Sequence, residues 1–232
     1  MPSVSNVAIG SNMAAAAATK ARHGMNESIA RLSTGIRAMY GADAAGHSVG
    51  TVHDSKAASY ATSTRNIENG ISYAQTGESI LLEVANLAQR IRELAIADDN
   101  VGLLDSNQVA ALDAEAALLG DAIDKMLDNT KFNGVEILDS AASKSVAINY
   151  SGDASSVTST VGPSQALTAM AGITDATGAD TTADTFLGKV AESLGNIAAD
   201  LTALKAFQGA ASATSANLAA ASARIMDTDY AT

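Results

Sequence analysis

Three histidines, His23, His47 and His53, are the side chains of this chain best suited to hold a metal or move a proton. Asp43 lies four residues before His47, a spacing that on a helix would put both on one face as half of a metal site. No third ligand follows at a suitable spacing, Gly41, Gly46 and Gly50 weaken a helix there, and no HExxH pattern exists. The sequence has no Cys, which removes disulfides, thiolate metal sites and a thiol nucleophile together. Ser and Thr crowd residues 140–182, but without His or Cys among them no nucleophile and base can be assembled locally. Gly152, Gly162, Gly172 and Gly178 do not fall at phosphate-loop spacing. The expectation is a non-enzyme with no cofactor and no metal.

Composition points the same way. The 232 residues carry 25 acidic against 14 basic side chains, a net charge of −11, so a nucleic-acid backbone or an anionic membrane surface would be repelled. The first basic residue is Lys20, so the charged start of a cleavable leader is missing, and no run of eighteen apolar residues predicts membrane insertion. Aromatic residues make up 3% of a chain that is 47% hydrophobic, so helices can approach closely through small side chains in long, thin bundles.

The elements that would position any site are helices. Val190, Ile197, Leu204, Ala211, Leu218 and Ile225 recur every seven residues, and Ile80, Val84, Leu87, Ile91 and Leu94 alternate steps of three and four. Such stripes stay turned toward a neighbouring helix over many turns, so each is a packing seam that needs a partner. Both prolines, Pro2 and Pro163, lie outside the periodic stretches.

The pattern predicts a first helix over residues 4–39 with Ile29, Leu32 and Ile36 on one face, then a glycine-rich hinge or loop over 40–50. A long helix over 52–97 follows, with a second stripe of Ile67, Ile71, Ala74, Leu81, Ala88 and Ala95, running in phase through Asn69-Gly70. Asp98, Asp99, Asn100 and Gly102 break it, and Asp105 with Gln108 forms a capping box for a helix over 106–129 with Leu112, Ala116, Leu119, Ile123 and Met126 as its seam. Asn133-Gly134 reads as a turn, 146–150 alternates weakly, and a short hairpin with flexible polar loops is expected up to residue 182. Thr182 caps the last helix, Asp184 sits in its first turn, and the helix runs to Met226. The fold class is mainly α, a long-helix coiled-coil-like bundle with a small β-hairpin and loop region.

Several ordered motifs resemble bacterial flagellin. MNESIARLSTGIR at residues 25–37, DAAGHSVG at 43–50, the stretch RNIENGISYAQTGESILLEVANLAQRIRELAIADDN at 65–100, FNGVEIL at 132–138 and SARIMDTDYAT at 222–232 each resemble a family signature. The resemblance implies an inner-core helix over 1–42 whose partner helix is absent, outer-core helices over 43–135, a short hairpin and polar loop region over 136–182, and an outer-core helix over 183–232. It implies a structural subunit that polymerises into the extracellular flagellar filament for motility. Expected partners are copies of itself, the flagellar export apparatus, and a Toll-like receptor of a host. The alternatives are the hook–filament junction protein and a flagellin acting as the ligand of an innate-immune Toll-like receptor. Gln89, Arg90, Arg92, Glu93 and Leu94, with Glu115 on the following helix, match the family's receptor and subunit-contact motif. Arg90 and Leu94 would share one helix face, and Arg90 and Glu93 could pair at (i, i+3) spacing. Flagellins usually continue beyond the motif that ends here at Thr232 by roughly ten further turns, about 36 residues. The expectation is therefore a fragment or clipped product that polymerises poorly.

Overall fold

The computed structural model describes residues 3–37, 43–100, 102–139, 142–151, 158–163, 165–167, 170 and 172–228. In chain order the elements are α1 (Ser3–Thr34), α2 (Ala44–Asp98), α3 (Ser106–Asn129), β1 (Lys131–Phe132), β2 (Val135–Glu136), β3 (Val146–Asn149), β4 (Thr158–Val161) and α4 (Ala179–Met226). The fold is mainly α, with two small antiparallel pairs, β1 with β2 and β3 with β4. The chain divides into two compact units, one of Met1–Ser59 with Ala213–Thr232 and one of Tyr60–Ser212.

Within the Tyr60–Ser212 unit, α2 and α4 run antiparallel, with Arg92 against Asp184 at one end and Glu68 against Gln208 at the other. The seam residues Val84, Ile91, Leu94, Val190, Ile197, Leu204 and Ala211 are buried, while Ile80 and Leu87 are half-buried at the margin. The second stripe of α2 is covered as well, since Ile67, Ala74, Leu81, Ala88 and Ala95 are all buried and Ile71 packs against them. Burying two stripes of one helix requires neighbours on two sides, which is why α2 stays helical through Asn69-Gly70. At Gly70 a Cβ would stand 2.9 Å from Ile148 Cγ1 of β3, so the glycine makes room for the strand.

Helix α3 starts where the capping box places it. The Asp105 carboxylate accepts the N–H groups of Asn107 and Gln108, and the Gln108 side chain accepts the N–H of Asp105. Its buried line is Ala116, Gly120, Ile123 and Leu127, so Leu112, Leu119 and Met126 flank the seam half-buried instead of forming it. β1 and β2 are joined by Asn133 and Gly134 with φ of 50° and 79°, the positive angles that a two-residue hairpin turn requires.

The segment between β4 and α4 departs from the expected flexible polar surface. Leu167, Met170, Ile173 and Ala176 are buried, one apolar residue at every third position. Its backbone is pinned by helix carboxylates: Asp113 and Asp124 of α3 accept the N–H groups of Ala176 and Met170, both at 2.8 Å, and Asp200 of α4 accepts that of Gly162 at 3.1 Å. A Cβ on Gly120 would come within 2.7 Å of the Met170 carbonyl, so only glycine lets this strap lie so close to α3. Asp98, buried at the end of α2, accepts the Thr177 hydroxyl at 2.9 Å. The turn at Gly178 and the Ala179 N–H to Ala176 carbonyl bond start α4 at Ala179, which puts Thr182 inside the helix and not at its cap.

In the Met1–Ser59 and Ala213–Thr232 unit, α1 stops at Thr34, with Gly35 at φ 74° returning its N–H to Arg31. That is earlier than expected, and Met39 lies outside the described residues. The expected loop over 40–50 is helical from Ala44; Tyr40 and Gly41 lie outside the described residues. Two contacts outweigh the glycine cost of about 1 kcal/mol each. The Asp43 carboxylate caps the start by accepting the Gly46 N–H at 2.7 Å, and Met226 of α4 packs where a Gly50 Cβ would be. Ser222 donates to the Gly50 carbonyl and Ser215 to that of Ala57, tying α4 to α2 along this unit. Leu218 and Ile225 are half-buried here.

Candidate functional site

Helix periodicity sorts the residues of the 89–94 stretch. Ile91 and Leu94 face the core, which leaves Gln89, Arg90, Arg92 and Glu93 on the outside of α2. Leu94 is only 2% exposed, so it is a core residue and is not presented beside Arg90. The reason is register: Leu94 continues the Val84, Leu87 and Ile91 seam, and that seam packs inward.

Arg90 bridges two helices. Its Nε donates to Glu115 Oε1 of α3 at 2.9 Å, and its Nη1 to Glu93 Oε2 at 3.2 Å. The two carboxylates, Glu115 foremost, hold the guanidinium even further above neutrality than usual, although its side chain remains half-exposed. Arg92 pairs in the other direction, its Nε 2.6 Å from Asp184 Oδ1 of α4. Three helices are thereby stitched across one rim by alternating charges. An open cleft of about 310 Å³ beside it is lined by Gln89, Arg92, Glu93, Asp184 and Leu187. Asp184 and Leu187 were not singled out for this surface from sequence; the usable signal is that Leu187 lies three residues before Val190 of the α4 seam.

Such a rim can recognise a protein surface by exchanging half-exposed ion pairs, and it offers no group poised for bond making. The Asp43 carboxylate is engaged by the Gly46 N–H and by the Arg37 guanidinium. Among the described residues no three His, Cys, Asp or Glu side chains converge on a common point. No helix among them is long and apolar enough to cross a membrane.

Residues 5–143 match the family model for the bacterial flagellin N-terminal helical region. The chain is 34% identical to Flagellin 1 of Proteus mirabilis over 128 residues, 55% of this chain and 35% of that protein. It is 33% identical to polar flagellin F of Vibrio parahaemolyticus over 144 residues, 60% of this chain and 38% of that protein. It thus spans well under half the length of these relatives. A crystal structure of Bacillus cereus flagellin is 27% identical, covering 66% of this chain and 88% of that one at a TM-score of 0.43. The family model covers more than half of the sequence and includes four of the five motifs, and the chain belongs to the bacterial flagellin family.

Proposed function

We propose that this chain is a non-enzymatic structural subunit of the bacterial flagellar filament, outside the cell, joined to further copies of itself by helix packing. The observation that carries the reading, beside the family, is α1. Val7, Ile9, Met13, Met25, Ile29 and Leu32 are each more than half exposed, and Met25, Ile29 and Leu32 share one face at steps of four and three. A helix this long with an uncovered apolar face is an assembly surface, since burial contributes ~25 cal/mol per Å². Contacts between unlike faces of successive copies propagate without closing, which is what a filament requires. Export through the flagellar apparatus fits a chain with no Cys to cross-link in transit. The matched relatives are named flagellin, which does not favour the hook–filament junction reading.

The test is replacement of the chromosomal copy with Ile29→Asp and Leu32→Asp together. Filaments seen by electron microscopy should disappear while the secreted chain keeps its helical circular dichroism. Filaments of normal length would overturn the reading.

Recognition by a host Toll-like receptor is a second reading, favoured by the half-exposed Arg90 and Glu115 pair. It is tested by receptor signalling with Arg90→Ala and Glu115→Ala at unchanged helicity. Unaltered signalling rejects it.

A further inference from the structure

Three helix termini meet at one side chain in the Met1–Ser59 and Ala213–Thr232 unit. Arg37 follows the end of α1 by three residues. Its Nη2 donates to the Ile225 carbonyl at 2.8 Å and to Asp43 Oδ2 at 3.0 Å. Ile225 belongs to the last turn of α4, whose carbonyls lack partners within the helix and carry partial negative charge. Asp43 caps α2 with its other oxygen, Oδ1, which accepts the Gly46 N–H. One carboxylate therefore starts α2 and holds Arg37, and one guanidinium faces both that carboxylate and the end of α4.

The backbone around Arg37 is fastened as well. Its N–H donates to the Met226 carbonyl at 2.7 Å, the Thr228 N–H donates to the Gly35 carbonyl at 2.8 Å, and Ile36 stands opposite Asp227 as an isolated antiparallel bridge. Residues 35–37 thus pair with 226–228 as a strand pair too short to persist by itself. The motif ending at Arg37 and the motif beginning at Asp43, read separately in the sequence, touch here.

We propose that Arg37 is a positioning residue, a latch that holds the exit of α1 against the end of α4 and the start of α2. Arg37 and Asp43 are 50% and 35% exposed, and such a pair adds little to overall stability. Its value is directional. A planar guanidinium shared between a carboxylate and a helix-end carbonyl restricts where residues 35–37 can lie, and so where α1 departs. The consequence for assembly rests on the filament reading above; the latch itself does not.

The test uses amide hydrogen exchange, resolved by residue in the full chain, with thermal unfolding alongside. Arg37→Met should speed exchange at the Thr228 amide roughly tenfold, the scale of one lost hydrogen bond to a charged group. Amides in the middle of α2 and the melting temperature should stay as in the parent. Asp43→Asn should give a smaller change at Thr228, because asparagine still caps α2 and the Ile225 bond survives. Arg37→Lys should recover part of the protection. If Thr228 exchanges within twofold of the parent in both Arg37→Met and Asp43→Asn, the bridge stands without the latch and the proposal fails. If α2 protection and the melting temperature fall together with Thr228, Arg37 is a general stabiliser and the proposal also fails. Filament formation in the same variants reports separately: altered Thr228 exchange with normal filaments retains the latch and removes its assembly role.

Discussion

The Asp124 carboxylate accepts the backbone N–H of Met170 at 2.8 Å, joining α3 to the segment between β4 and α4, 46 residues later. With Asp113 on Ala176 and Asp200 on Gly162, it turns the polar stretch after β4 into a strap over α3 and α4. Removing an acceptor leaves a partly buried N–H unpaired. Asp124→Ala and Asp113→Ala should each cost about 1–3 kcal/mol. Thermal unfolding and limited proteolysis check this, with new cleavage expected between residues 162 and 178.

Gly120→Ala separates helix propensity from packing. Alanine favours an isolated helix by ~1 kcal/mol over glycine, but its Cβ would come within 2.7 Å of the Met170 carbonyl. The strap must shift, and we expect a net loss of about 1–2 kcal/mol, within the usual range for overpacking. A melting temperature equal to or above the parent's would mean that the strap yields freely.

Leu94 and Arg90 should behave as opposites. Leu94→Ala removes a buried seam side chain and should cost about 2–5 kcal/mol. Arg90 and Glu115 are half-exposed, so their coupling in a double-mutant cycle should be at most ~1 kcal/mol. Chemical denaturation of the four variants gives both numbers. Any loss of partner binding in the Leu94 variant would then report instability, whereas loss in the Arg90 variant would report contact.

Asp43 sets a pH dependence. Its carboxyl is held below the ordinary aspartate range, first by the Gly46 N–H and then by the Arg37 guanidinium. A depressed pKa contributes stability above the unfolded value, and that contribution is lost as pH falls through the folded one. The cap and latch should thus be intact at neutral pH and fail only in acid below the usual aspartate pKa. Carboxyl carbon NMR should show a low midpoint for Asp43. Arg37→Met should raise it without restoring the unperturbed value, because the Gly46 bond remains.

Much of this architecture is local and hence readable along the chain. α2, α3 and α4 announce themselves because burial on a helix repeats with its turn, so Ile91, Ile123 and Ile197 mark their faces wherever the partners lie. The capping box at Asp105 and the turn at Asn133-Gly134 are equally local, each a few residues satisfying their own backbone. The charged cluster from Gln89 to Glu93 and the (i, i+3) partner of Arg90 were also visible in the spacing.

Tertiary structure alone decided the rest. Gly46 and Gly50 look like a hinge until the Asp43 cap and Met226 are in place. Leu167, Met170, Ile173 and Ala176 look like punctuation in a polar loop until carboxylates on α3 and α4 reach the N–H groups of Gly162, Met170 and Ala176. Leu94 reads in the sequence both as a seam residue and as a neighbour of Arg90 on one face, and its burial in the folded chain decides for the seam. The meeting of Arg37 with Ile225 spans most of the chain. Periodicity records which side of a helix is buried, but it carries no information about which distant backbone group a given carboxylate or guanidinium will satisfy. That pairing exists only once the chain has folded.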